Sequence, residues 1–100
     1  MPQYLLLVHG NAKSEASAEE WEKFFSLAQE SGFFRGGSEL GERIYVGDQN
    51  DIPSTDSIAG FVRFDAENQD ALLALLENHP VVTHGGTVEL CEMPLTAPPE

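Results

Sequence analysis

Tyr4-Leu5-Leu6-Leu7-Val8-His9 is an unbroken apolar run of strand length, closed by Gly10-Asn11. A strand that shows apolar side chains on both faces needs cover on both, which predicts a central position in a sheet. The rest of the chain must therefore supply neighbours on either side of this segment. The chain has 100 residues, enough for one domain. Apolar residues make up 41% and there are 9 glycines, an ordinary globular composition that disfavours disorder.

The next strong signal is helical. Ser17-Ala18-Glu19-Glu20 fits a capping box, in which the Ser17 hydroxyl accepts from the Glu20 N–H and Glu20 reaches back. Trp21, Phe24, Phe25 and Ala28 then recur at i, i+3, i+4 and i+7, one apolar stripe, and Gly32 is the expected stop. Phe33-Phe34 opens a second extended region that Gly36-Gly37 bends or bulges, and Arg43 to Val46 is expected to resume it as strand, with Ile44 and Val46 on one face. A polar loop runs from Gly47 to Ser57. Ile58 to Phe64 alternates as a third strand, with Ile58, Gly60, Val62 and Phe64 on one face and Ala59, Phe61 and Arg63 on the other. Asp65 is the expected N-cap of a second helix carrying Leu72, Leu75 and Leu76, which Asn78-His79-Pro80 ends. Thr87 to Met93 alternates as the last strand.

The order β-α-β-β-α-β is the ferredoxin-like plan, an α+β fold. Right-handed crossovers give a sheet of order 4-1-3-2, with the Tyr4–His9 segment inside. Residues 1–94 form the domain, and 95–100, with Pro98-Pro99, an extended tail. Two helices cover one sheet face only. The other is too apolar for water, which predicts a homodimer.

Charge and cysteine usage narrow the partners. Seventeen acids against five bases give a net charge of −12, which repels phosphate backbones and anionic lipids. Neither nucleic acid nor membrane is an expected partner. No apolar run approaches the ~20 residues of a membrane span, and the start lacks the basic residues of a signal peptide, so a cytoplasmic location is expected. Cys91 is the sole cysteine, which excludes an internal disulfide and a CxxC metal site. His79-x4-His84 matches metal-ligand spacings only loosely, and neither metal nor cofactor is expected.

The whole chain resembles the YCII-related family and its DGPF-type relatives. The matching features are Tyr4-Leu5-Leu6-Leu7-Val8, Gly36-Gly37, Gly60-Phe61, Asp65-Ala66, His79-Pro80 and Gly85-Gly86-Thr87-Val88-Glu89-Leu90, in that order. The resemblance implies a dimeric α+β barrel, with two sheets facing one another and helices outside. It also implies that a small-molecule isomerase, a lactone-processing enzyme, a monooxygenase or a plain binding module is compatible with the fold. The Asp-Gly-Pro-Phe signature is absent; Ile52-Pro53-Ser54-Thr55-Asp56 stands in that loop. The helix-one histidine that some relatives pair with an aspartate is also absent, and Trp21 and Phe24 occupy that face.

Connectivity brings His9, His79 and His84 to one pole of the plan, with Asp56 on a loop of the same end. Histidine and carboxylate are the usual acid/base groups, which makes His9, His84 and Asp56 the catalytic candidates. Arg63 is a cation on a core strand, able to hold a carboxylate or to pair with Asp65 or Glu89. Trp21 and Phe61 are candidates to line an apolar pocket, though aromatic residues at this spacing also serve as core. His79 before Pro80 reads as a helix terminator. The leading expectation is a dimeric small-molecule-binding module. The alternative is a lyase or isomerase acting on a carboxylated or lactone substrate, with His9 or His84 as acid/base.

Overall fold

A computed structural model describes residues 2–94; the expected extended tail, 95–100, lies outside the described residues. The elements run β1 (Gln3–His9), α1 (Ala18–Glu30), β2 (Phe34–Glu39), β3 (Ile58–Asp65), α2 (Gln69–Leu76), α3 (Pro80–Thr83) and β4 (Val88–Met93). The sheet order is β2-β3-β1-β4, and every adjacent pair is antiparallel. This is the ferredoxin-like arrangement, with the most apolar segment inside.

Register explains the core. Tyr4, Leu6 and Val8 stand opposite Phe64, Val62 and Gly60 on one side and Glu92, Leu90 and Val88 on the other. Directly opposed residues share a face. Tyr4, Leu6, Val8, Val62 and Phe64 are all buried, and they pack with Phe24 and Ala28 of α1 and Leu72 and Leu76 of α2. Leu5 and Leu7 share the other face with Phe61, Arg63, Cys91 and Glu89. Leu5, Leu7, Phe61 and Cys91 stay half-buried there.

The helix starts are set locally. Ser17 caps α1: its Oγ accepts from the Glu20 N–H at 3.1 Å, and the Ser17 N–H donates to Glu20 Oε1 at 3.1 Å. Ser31 is the C-cap, and Gly32 follows at φ +79°, the left-handed turn that glycine tolerates best. Asp65 does not cap α2. It ends β3 and pairs with Arg35 at 3.1 Å, while Asn68 accepts from the Ala71 N–H as the true N-cap. Asp65 is held in the ladder opposite Gln3, so the chain turns three residues later than the pattern suggested.

Arg43 to Val46 is not a strand. The β2–β3 ladder ends at Glu39 opposite Gly60, and residues 40–57 form a loop. The Arg43 guanidinium turns back to donate to the carbonyls of Gly41 (2.5 Å), Thr55 (2.9 Å) and Ile58. Opposite this segment lies loop rather than strand, so its alternation has nothing to pair with. Ile44 and Val46 are 88% and 94% exposed.

The bend at Gly36-Gly37 is present as a register shift between Phe34 and Gly37. A side chain at Gly37 would run into the Phe61 carbonyl, and one at Gly60 into that of Ser38. Two glycines thus let β2 and β3 approach closely. They also leave a stretch of sheet bare of side chains.

Candidate functional site

Above that bare stretch lies a cleft of about 870 Å³. The sheet contributes Val8, Gly60, Val62 and Gly37, and the aromatic and helix-side lining comes from Trp21, Phe25, Phe34, His79, Pro80 and Val81. The β1–α1 loop from Ala12 to Ala16 forms part of the mouth, with His9 at the rim. The charged lining residues are Lys13, Glu15 and Glu39, so the cleft has no net positive charge to attract an anion.

His79 is placed by Pro80. The residue before proline is forced towards extended backbone, and His79 sits at φ −64°, ψ 132°. That ends α2 with Glu77 as its cap, and Pro80 at the first position begins α3. His79 is therefore not only a terminator: it is the N-cap of a helix the sequence reading did not anticipate. Its Nδ1 accepts from the Val81 N–H at 3.1 Å. An imidazole that accepts at Nδ1 carries its proton on Nε2 when neutral.

The ring is fully buried. It packs edge-on against Trp21 and Phe24, with centroids 5.2 and 4.7 Å away. Burial pushes its pKa down from 6.5 to about 4, because the charged form loses its hydration there. The ring is thus neutral at physiological pH, and Nε2 is a buried donor without a hydrogen-bond partner among the described residues. Such a group is a polar point in an apolar wall. It has no exposed surface, so it donates to a ligand oxygen only where the wall beside it shifts, and with its Nδ1 occupied it is a poor proton acceptor.

The other histidines are engaged at the surface. His9 Nε2 lies 2.9 Å from Glu89 Oε1. His84 turns away from the cleft; its Nδ1 lies 2.7 Å from Ser14 Oγ and its Nε2 2.6 Å from Glu20 Oε2. The Glu20 carboxyl is held below its ordinary pKa, first by the His84 hydrogen bond and then by the Ser17 N–H. Two of the three histidines lie at the start of α1, His79 against Trp21 and His84 against Glu20, while His9 is tied to the start of β4 by its N–H on Thr87 O.

Of the remaining candidates, Trp21 lines the cleft and Phe61 borders it beside Gly60, although register puts the Phe61 side chain on the outer sheet face; Asp56 and Arg63 are not part of the lining. Asp56 is an exposed turn residue whose N–H donates to Ser54 Oγ. Arg63 is exposed on the outer sheet face with no ion pair among the described residues. Asp65 goes to Arg35, and Glu89 to His9. Among the described residues no three histidine, cysteine or acidic side chains converge as metal ligands, and no helix is long and apolar enough to cross a membrane.

No protein-family profile matches the chain, nor does any curated protein. Among solved structures, it is similar to the 5-chloro-2-hydroxyhydroquinone dehydrochlorinase of Burkholderia phenoliruptrix AC1100, determined in complex with 2,5-dihydroxybenzoquinone. Identity is 14%, the TM-score is 0.54, and the match covers 90% of each chain. At that identity the likeness extends to the fold, in agreement with the element order and sheet topology described above.

Proposed function

We propose that the cleft binds a small, neutral, largely planar molecule and that His79 donates to one of its oxygens. The single observation that carries this reading is the buried Nε2 of His79, without a partner among the described residues, in a residue that borders an aromatic cleft; a small shift of the Trp21 side chain would bring it within reach of a ligand. An unsatisfied buried donor costs about 1–3 kcal/mol, and a ligand acceptor recovers part of it. Binding sites are mostly apolar with a few placed polar groups, which is this composition. The acidic surface and the cleft's own charges favour a neutral ligand over an anion.

Trp21 is the only tryptophan of the chain and lines the cleft, so its fluorescence reports occupancy. Titration with hydroquinone, and with other neutral phenols as companions, is expected to quench Trp21 saturably. His79→Phe keeps the aromatic packing and removes the donor, and is expected to weaken binding roughly 10-fold. Quenching that rises linearly with concentration and never saturates would exclude a site.

A lyase or isomerase is the second reading. It is favoured by His9, a cleft-rim histidine 2.9 Å from the Glu89 carboxylate, a pairing able to move a proton. Arg63 stands apart from the cleft, so in this reading Lys13 is the cation at hand for a carboxylate among the described lining residues. Turnover of a chlorinated hydroquinone with release of chloride would favour it over simple binding.

We infer further that the protein is a homodimer closed over the outer sheet face. Leu5, Leu7, Phe61 and Cys91 lie there without helix cover. Sedimentation is expected to show a dimer at micromolar concentration, burying more than roughly 1,000 Å²; a stable monomer would refute the assembly.

A further inference from the structure

Ser14, His84 and Glu20 form a continuous hydrogen-bonded relay at the mouth of the cleft. Ser14 Oγ is 2.7 Å from His84 Nδ1, and His84 Nε2 is 2.6 Å from Glu20 Oε2. The far end is anchored, because the other Glu20 oxygen accepts from the Ser17 N–H in the capping box. A carboxylate on Nε2 keeps the proton of a neutral imidazole there and leaves the Nδ1 lone pair facing Ser14. That is the arrangement a serine needs for activation, with the two ring nitrogens exchanged relative to the more familiar serine–histidine–acid order. Ser14 also lines the cleft, whereas His84 and Glu20 stand behind it. Glu15 and Ala16 follow on the cleft lining, and their backbone N–H groups bond to nothing among the described residues. They are free to donate to an oxyanion.

We propose that Ser14 is the nucleophile of an acyl-transfer site that hydrolyses small neutral esters whose apolar part occupies the cleft, with His84 as base and Glu20 as the positioning residue. Ser14 Oγ attacks the ester carbonyl carbon as its proton passes to His84 Nδ1. The carbonyl C–O bond to the alcohol then breaks, and the departing oxygen takes that proton from His84. This leaves acyl-Ser14 and a free alcohol. Water repeats the two steps on the acyl group, releasing the carboxylic acid and restoring Ser14. Ester and water are consumed, acid and alcohol are formed, and no further reactant is needed.

The proposal rests on the cleft being a ligand pocket. The test is p-nitrophenyl butyrate with the full chain. The expected result is a burst of one p-nitrophenolate per chain and one butyryl group on Ser14 by peptide mass spectrometry. Ser14→Ala is expected to abolish both with an unchanged circular dichroism spectrum. His84→Asn is expected to slow acylation at least 100-fold, the usual worth of a general base. Glu20→Gln still reaches the helix start; it is expected to slow acylation while the half-saturating ester concentration stays the same. That split is not produced by a purely structural role. No burst in the wild-type chain, acylation found on Lys13 or Cys91 instead, or undiminished acylation of Ser14→Ala would each overturn the proposal. Saturable quenching of Trp21 without Ser14 acylation overturns it while leaving the cleft reading in place. Ser14 acylation without quenching of Trp21 by the phenols supports the relay and the cleft as an ester pocket, and removes only the His79-donor reading.

Discussion

Phe24→Ala is expected to lower the unfolding free energy by about 3–5 kcal/mol, as for other fully buried phenylalanines. Phe24 is 1% exposed and fills the space between α1, the sheet and His79. Its removal costs the transfer of a large apolar side chain and leaves a cavity that a helix pinned by a capping box cannot close. Trp21 sits one helical turn earlier on the same stripe, yet it faces the cleft and is only half-buried. Trp21→Ala is expected to cost less, about 1–2 kcal/mol, because part of its surface is already wet. Urea unfolding at constant slope measures both. Equal losses would mean that the cleft is closed in solution and that Trp21 belongs to the core.

Stability is also expected to fall by about 3 kcal/mol as the pH drops from 6.5 to 4, through His79 alone. Above pH 6.5 its imidazole is neutral in both folded and unfolded chains, and the contribution is complete. Below 6.5 the unfolded chain takes up a proton that the folded ring refuses until about pH 4. The unfolded state gains throughout that window, and the loss levels off beneath it. Glu20, whose pKa is lowered in the fold, adds a loss of the same sign at lower pH, below the ordinary carboxylate value. The difference between the wild-type chain and His79→Asn isolates the histidine, since asparagine can cap α3 but does not titrate. A pH-independent difference would show that His79 is protonated, or solvated, in the folded protein.

Where local signals carried the information, the sequence was readable. The capping box at Ser17, the stripe from Trp21 to Ala28 and the alternation of β3 are fixed by neighbours in the chain, and all three stand as expected. Sheet order followed from chirality and connectivity. Arg43 to Val46 failed because alternation describes a side-chain pattern, not the presence of a partner strand. Asp65 failed as a cap because a tertiary partner, Arg35, competed for it.

The site was harder to read for the same reason. His79 carries a visible cue, the proline after it, but its burial between Trp21 and Phe24 joins residues more than fifty positions apart. Ser14, His84 and Glu20 have no shared spacing at all; only the fold brings them together. Asp56 and Arg63 have the residue types of a site but lie outside the cleft.

The loop closed by Arg43 bears on how this chain can change. One guanidinium holds both ends, at Gly41 and at Thr55 and Ile58, so the residues between hang from a clasp rather than from the sheet. Added length there costs only the entropy of a larger ring, about 0.6 kcal/mol for each doubling. The segment from Ile44 to Ser54 is thus the natural place for a descendant of this protein to acquire an inserted recognition element, or for an engineer to splice in a reporter, with the registers of β2 and β3 undisturbed.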